Sequence, residues 1–262
     1  MIRKLRRTND LELTLQIKTD TFIAPPRESQ RNWLLNKAMG EFVDDLGALN
    51  TLAQRFVPGV DAVAIEERTN TVLSDDDIME DWQIPLMRAM AQAATATHGD
   101  VLEIGFGRGV ASDFIQACNV RSHTIVECND SVVERFHTWR ATHADRDIRL
   151  IHSRWQDATD QLGQYDGVFF HTYPLSEDEY NQTVMNSVTF AAHFFPTAAA
   201  HLREGGVFTY MTNEIDSFSR AHQRLVLSYF RSFELSVVPL QLPVDLRDTW
   251  WADSMVVIKA VK

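Results

Sequence analysis

The sequence predicts an α/β protein with a mostly parallel seven-stranded sheet and an N-terminal helical extension. Strands and helices alternate through the C-terminal two thirds, the pattern of right-handed crossovers in a sheet covered on both faces. The last two strands, 234–242 and 254–261, have no helix between them and must therefore be antiparallel. A long amphipathic segment precedes the sheet at 27–56. We therefore divide the chain into an arm and helical cap, 1–75, and a sheet domain, 76–262.

The N-terminal elements follow from local patterns. Residues 1–26 alternate loosely in hydrophobicity and reach a proline pair, which predicts an arm or short strand and then a turn. We expect the apolar stripe of 27–56 to pack on the main domain. Its spacing also resembles a short heptad run, so a homodimer through this helix is the alternative. Ser74, followed by three aspartates, predicts a helix start, with a helix over 78–97 and Pro85 in a first turn or at a kink.

The sheet domain repeats a strand-helix pattern. We predict strands at 101–104, 123–127, 148–151, 165–170, 207–211, 234–242 and 254–261, and helices at 110–118, 131–144, 187–202 and 217–231. Open α/β sheets bind ligands at the carboxyl ends of their parallel strands. Residues just after these strands are therefore the candidates for a site.

Composition limits the classes of function. The 262 residues carry a formal net charge of −11, and 45% are hydrophobic, enough for a full core. The negative charge argues against sequence-independent binding of nucleic acid and against an anionic membrane surface. Two cysteines, Cys118 and Cys128, cannot form a disulfide framework, and no run resembles a membrane span or a signal peptide. We expect a cytoplasmic protein that binds neither nucleic acid nor membrane.

A glycine turn and a later acid predict the ligand class. Gly105 and Gly107 lie where a strand meets a helix, and glycine lets the backbone approach a ligand closely. Glu127 ends the next strand 22 residues after Gly105, where a carboxylate can accept hydrogen bonds from both ribose hydroxyls. Nicotinamide dehydrogenases use the same pair, so these residues alone indicate only an adenosine-containing ligand.

Five motifs together resemble the guanidinoacetate N-methyltransferase family. They are Leu102–Gly107 (LEIGFG), Glu127–Asp130 (ECND), Trp155–Asp157 (WQD), Thr172–Glu177 (TYPLSE) and Gly205–Tyr210 (GGVFTY). The resemblance covers about residues 78–262. It implies a Rossmann-like methyltransferase sheet and S-adenosylmethionine as the cofactor, in a family that methylates a guanidino nitrogen.

The resemblance also implies the cofactor contacts. Gly105 and Gly107 would line the methionine part, Glu127 would hold the ribose, and Trp155 would cover the adenine face, unless Trp155 is a core aromatic. Stacking of an aromatic ring on a base is worth about 1–3 kcal/mol. The remaining implied cofactor contacts are Phe106, Cys128, Asn129 and Thr172. No basic neighbour in sequence favours a reactive thiol at Cys128.

The acceptor side departs from the family pattern. The family has an acid just before Thr-Tyr-Pro-Leu and another after the Trp of its Met-x-x-Trp segment, whereas this chain has His171 and Gln83. Those acids grip a guanidinium, which requires carboxylate partners. Guanidinoacetate is therefore disfavoured. His171 is the candidate base and Gln83 the candidate hydrogen-bond partner. The alternatives are a structural hydrogen bond for His171 and a surface position for Gln83.

The other candidate acceptor contacts are mainly aromatic. Trp250 and Trp251 would pack around a sulfonium or substrate cation, or else serve the core. Arg247 would pair with a substrate carboxylate or form a surface salt bridge. The full set is Trp82, Tyr173, Arg247, Trp250 and Trp251. The remaining histidines lack metal-ligand spacing, so we predict no metal.

These residues together favour a biosynthetic S-adenosylmethionine-dependent methyltransferase that acts on a nitrogen or oxygen of a small-molecule partner. The first alternative is a cyclase that closes a ring on the cofactor's own aminobutyrate chain and releases methylthioadenosine. It is motivated by the two missing acids. The second is a non-enzymatic binding protein.

Overall fold

The computed structural model describes residues 2–7, 13–17, 20–23, 69–185, 187–244, 250 and 252–262. The chain forms two compact units, residues 1–64 with 245–251 and residues 65–244 with 252–262. The predicted helix over 27–56, its apolar stripe and the homodimer that would use it lie outside the described residues. The boundary between 75 and 76 stays a prediction.

The first unit contains a small antiparallel sheet. Its strands are β1 (Ile2–Arg7), β2 (Leu13–Ile17) and β3 (Asp20–Ile23), in the order β1-β2-β3. The loose alternation of this region therefore gives three short strands, where an arm or a single strand was predicted.

The second unit contains a seven-stranded sheet in the order β6-β5-β4-β7-β8-β10-β9. The strands are β4 (Asp100–Ile104), β5 (Ser122–Glu127), β6 (Ile148–His152), β7 (Tyr165–Phe170), β8 (Leu202–Tyr210), β9 (Ser232–Pro239) and β10 (Ser254–Val261). Strands β4 to β8 pair parallel, and β10 pairs antiparallel with both β8 and β9. The predicted Rossmann-like sheet with an antiparallel ending is confirmed.

Helices cover this sheet. They are α1 (Asp75–Ile78), α2 (Ile84–Ala94), α3 (Val110–Ala117), α4 (Asp130–Ala141), α5 (Glu177–Tyr180), α6 (Phe195–His201) and α7 (Arg220–Leu227). Short 3-10 turns occur at Asp81–Gln83, Trp155–Asp157, Thr159–Gln161 and Phe190–Phe194, and a π turn at Asn181–Met185. No helix in these described parts of the chain is long and apolar enough to cross a bilayer.

The predicted helix over 78–97 is interrupted. Ser74 caps α1 with a capping box, and the chain becomes extended at Met79. Pro85 lies in the first turn of α2, where its missing N–H costs nothing. The predicted helix over 187–202 likewise begins as a 3-10 turn and ends at His201, because Leu202 already starts β8.

The core of the sheet unit is rich in aromatic side chains. Phe194 stacks on Phe170 at a centroid distance of 4.6 Å, and Phe230 stacks on Phe208 at 5.4 Å. All four rings are at most 2% exposed. This core fixes the ends of β7 and β8, and with them the edge of the sheet that carries Gly105, Glu127 and His171.

Candidate active site

The turn after β4 requires glycine. Gly105 has φ +92°, and a Cβ built on it would lie 2.2 Å from the carbonyl oxygen of His171. Gly107 has φ +56°, and its Cβ would lie 3.0 Å from a methyl group of Ile78. Both glycines adopt the left-handed region, which disfavours other residues, and Gly105 also has no room for a side chain. The turn therefore keeps its backbone N–H groups close to the adjoining strand ends.

The carboxylate of Glu127 joins this turn to the end of β5. Its Oε2 accepts hydrogen bonds from the backbone N–H groups of Phe106 at 2.9 Å and Gly107 at 3.5 Å. Its Oε1 accepts from Cys128 at 2.7 Å and Asn129 at 2.9 Å. The side chain is 9% exposed. A carboxylate offers about four lone-pair sites, and hydroxyl donors can share them with weak backbone partners such as Gly107.

A cleft of about 990 Å³, which includes its open mouth, lies beside Glu127. All eight predicted cofactor residues line it, namely Gly105, Phe106, Gly107, Glu127, Cys128, Asn129, Trp155 and Thr172. His171 and Tyr173 line the same cleft. The structure thus brings together residues from four separate strand ends.

Asn129 and Cys128 are constrained by their surroundings. The side chain of Asn129 caps α4 by accepting from the N–H of Val132 at 3.1 Å, and its amide donates to the carbonyl of Thr71 at 2.9 Å. Burial, and next to it the charge of Glu127, raises the pKa of Cys128 to about 12. The thiol therefore stays protonated at neutral pH, which agrees with the predicted absence of a reactive cysteine.

Trp155 lies between the core and the cleft. Its ring meets Phe194 edge-on at 4.9 Å and Phe170 at 6.4 Å, while the side chain remains partly exposed in the cleft wall. The indole thus contacts the aromatic core, and the residue still contributes to the cleft. The core-aromatic alternative therefore describes part of its environment, and the covering of an adenine stays a prediction.

His171 follows β7 at the edge of the sheet. Its backbone N–H donates to the carbonyl of Ile104 at 3.1 Å, which fixes it beside the glycine turn. Its Nε2 is buried and has no hydrogen-bond partner among the described residues. Burial lowers the pKa of His171 to about 4, so the imidazole is neutral at physiological pH.

The other predicted acceptor residues separate into three groups. Trp82 and Gln83 lie on the 3-10 turn before α2 and are 5% and 1% exposed, so the surface alternative for Gln83 is wrong. They do not line the cleft. Trp250 is buried. Arg247 and Trp251 lie outside the described residues.

Sequence reasoning missed a segment that borders the cleft. Residues 69–81, which we call the capping segment, contribute Leu73, Asp77, Ile78 and Met79 to its wall. Arg108, in the glycine turn, donates to the carbonyl of Met79 at 3.0 Å and to Asp81 at 2.8 Å. Arg135 pairs with Asp75, which lowers the pKa of that carboxyl, and donates to the carbonyl of Leu73 at 2.7 Å. The acidic run at 75–77 was the one sequence feature that could have indicated this segment, but the arginines that bind the segment are distant from it in sequence.

The fold and this site define a methyltransferase that depends on S-adenosylmethionine. The residues predicted to contact its methionine, ribose and adenine parts, namely Gly105, Glu127 and the partly exposed Trp155, all line one cleft. A family model described as guanidinoacetate N-methyltransferase matches residues 61–224. The chain belongs to this family, as its motifs predicted.

The chain is also similar to several characterised proteins. It is 26% identical to protein arginine N-methyltransferase 2 of Candida glabrata over 119 residues, which is 41% of this chain and 28% of that protein. The Aspergillus oryzae protein of the same name is 30% identical over 122 residues, covering 43% and 29%. The chain thus spans less than a third of these relatives. A precorrin-6y C5,15-methyltransferase from Geobacter metallireducens shares the fold, with a TM-score of 0.50, 13% identity and coverage of 74% and 99%.

These relatives correct one prediction. We expected a small-molecule partner, but the similar proteins are named for methylation of protein arginine. The small-molecule expectation came from the family resemblance, because guanidinoacetate, for which that family is named, is a small molecule. The methyltransferase prediction and the cofactor are confirmed.

Proposed function

We propose that this chain transfers the methyl group of S-adenosylmethionine to a nitrogen of a protein side chain. The observation that carries the proposal is His171, whose buried Nε2 lacks a partner in the described residues at the edge where the cofactor cleft ends. Buried polar atoms are nearly always hydrogen-bonded in native proteins. An acceptor N–H is a partner that would satisfy this atom. The names of the relatives support a protein as the carrier of that nitrogen.

The chain's own residues would hold both reactants. Glu127 would accept the ribose hydroxyls, Trp155 would cover the adenine, and the backbone of Gly105 to Gly107 would line the amino-acid part. When bound, the cofactor supplies an electrophilic sulfonium methyl group. Catalysis then depends mainly on positioning, because alignment of two bound reactants can supply several kcal/mol.

His171 would contact the acceptor directly. With a pKa near 4 it is a weak base, so its role is to accept a hydrogen bond and orient the nitrogen rather than to keep a proton. Trp82, Gln83 and Tyr173 are proposed to form the acceptor side, as are Arg247, Trp250 and Trp251 on sequence grounds alone. Trp82 carries a second buried polar atom, Nε1, without a partner in the described residues.

The test uses the purified chain, S-adenosylmethionine with a labelled methyl group, and an extract of proteins from its source cell. We expect label in acid-precipitated protein together with S-adenosylhomocysteine. His171→Ala should lower the rate at least tenfold while cofactor affinity changes by less than twofold. His137→Ala, an exposed histidine on α4, is the matched control.

Two results would overturn the proposal. One is label only in molecules that remain soluble in acid. The other is release of methylthioadenosine instead of S-adenosylhomocysteine, which would favour the cyclase.

A further inference from the structure

A further carboxylate lies beside Trp155 in the cleft, that of Glu179 on α5. Its Oε1 accepts a hydrogen bond at 3.2 Å from the side-chain amide of Gln156, the residue that follows Trp155. Its Oε2 accepts from the backbone N–H of Leu175 at 2.8 Å. The side chain lines the cleft together with Trp155 and is 18% exposed. These contacts fix the carboxylate at the part of the cleft where Trp155 lies.

The negative charge of Glu179 is not compensated by its basic neighbour. Nε2 of His193 lies 4.0 Å from Oε1 of Glu179. Burial lowers the pKa of His193, so its ring is neutral at pH 7 and supplies no counter-charge. His193 also packs on Trp155 at a centroid distance of 5.3 Å, which connects the carboxylate to the indole from a second side. Hydrogen bonds from neutral amides leave the charge of Glu179 in place.

Glu179 has capacity to accept a hydrogen bond from a ligand. A carboxylate offers about four lone-pair sites, two on each oxygen. Among the described residues, Oε1 receives one hydrogen bond, from Gln156, and Oε2 receives one, from Leu175. Each oxygen therefore has room for a further donor. A hydrogen bond to a charged acceptor is about twice as strong as one between neutral groups.

We infer that Glu179 accepts a hydrogen bond from the exocyclic amine of the adenine ring and so selects adenine among the purines. The inference rests on the proposed function, in which Glu127 holds the ribose and Trp155 covers the base. A base that lies on the indole presents its edge to the groups beside the indole, and the carboxylate of Glu179 is one of them.

The same carboxylate would reject other purines. Adenine carries an NH₂ donor at the ring position where hypoxanthine and guanine carry a carbonyl oxygen. That oxygen would face the carboxylate of Glu179 with no proton between the two acceptors. One group thus supplies both the attraction to the correct base and the repulsion of the incorrect ones.

Calorimetric titration of the full chain with three thioethers tests the inference. They are S-adenosylhomocysteine, its deaminated form S-inosylhomocysteine, and the purine analogue in which hydrogen replaces the amine. We expect Kd to be about 10- to 150-fold higher for each analogue, the effect of one hydrogen bond to a charged group. Kd values within twofold of one another would overturn the inference. Failure of the native chain to bind S-adenosylhomocysteine would instead overturn the proposed function itself.

A variant assigns the selectivity to Glu179. In Glu179→Gln the amide oxygen should stay with the N–H of Leu175, which places an NH₂ group where Oε1 stands. This group can donate to a carbonyl oxygen but not accept from an amine, so we expect the preference for the adenosyl over the inosyl ligand to fall at least tenfold. Asp178→Asn removes an exposed charge from the same helix and should keep the native preference.

The result that would overturn the assignment is a native preference in Glu179→Gln, with a circular dichroism spectrum that matches the native chain as proof of folding. The comparison of three ligands uses the native chain alone, so it decides the inference even if this variant does not fold.

Discussion

Replacing Glu127 with glutamine tests how the cofactor end of the site is held. Glutamine has nearly the same size and shape, but one of its two terminal atoms becomes an NH₂ group that cannot accept a hydrogen bond. In the native protein each carboxylate oxygen faces two backbone N–H donors. Whichever way the amide turns, one pair of donors loses its acceptor.

The structure sets the size of the effect. The amide should turn its NH₂ toward Phe106 and Gly107, because that pair contains one good bond at 2.9 Å and one poor bond at 3.5 Å. The least loss is therefore one charge-assisted hydrogen bond, about 1.5–3 kcal/mol. We expect the free energy of unfolding to fall by that amount. The corresponding fall in Tm is about 3–12 °C for a chain of this size.

Cofactor affinity should fall as well. The ribose hydroxyls would lose an ionised acceptor, and a loss of about 1.5–3 kcal/mol corresponds to roughly a 10- to 150-fold increase in Kd. Thermal unfolding with and without S-adenosylmethionine, and titration calorimetry, measure the two effects. Glu134→Gln, which removes an exposed carboxylate from α4, is the control. An unchanged Tm together with a Kd within twofold of the native value would refute the reasoning.

Three further outcomes are expected. Gly105→Ala should abolish cofactor binding, because the new Cβ would collide with the His171 carbonyl. Gly205→Ala also has a positive φ of +77° but has open space around it, so it should lower the free energy of unfolding by only about 1–2 kcal/mol and leave cofactor binding intact. Equal losses of cofactor binding in the two variants would contradict this. Between about pH 4 and pH 6.5 the unfolded chain binds a proton at His171 and the folded chain does not. The free energy of unfolding should therefore increase as the pH is raised from about 4 to 6.5. Urea titrations should show that His171→Gln removes this part of the increase. Arg135→Ala removes the half-exposed ion pair with Asp75, which contributes about 0.2–1 kcal/mol, and should speed release of S-adenosylhomocysteine about 1.4- to fivefold in stopped-flow measurements. An unaltered rate would show that this ion pair does not help the capping segment to retain the cofactor product.

The sheet and the cofactor cleft were accessible from sequence because their signals are local. A strand followed by a glycine turn, and an acid at the end of the next strand, suffice to place Gly105 and Glu127 at one edge. The antiparallel ending followed from the missing helix before 254–261. Each of these inferences needs only neighbouring residues and the rules of chain connection.

Other features depend on contacts between distant residues. Arg108 reaches Met79 and Asp81, about 28 positions away, and no local pattern indicates this. A surface position for Gln83 was open as an alternative, yet the residue is 1% exposed on a short turn that replaces the predicted helix there. Tertiary packing decides such positions, and helix propensity is only a weak guide to them.

One consequence follows from the position of Arg108. Its backbone belongs to the turn that lines the cofactor cleft, and its guanidinium grips the residues immediately before Trp82 and Gln83. Any shift of the turn on cofactor binding would therefore reach the neighbourhood of those two side chains. Thermodynamic reciprocity then requires that any gain in affinity for the methyl acceptor caused by the cofactor equals the gain in cofactor affinity caused by that acceptor.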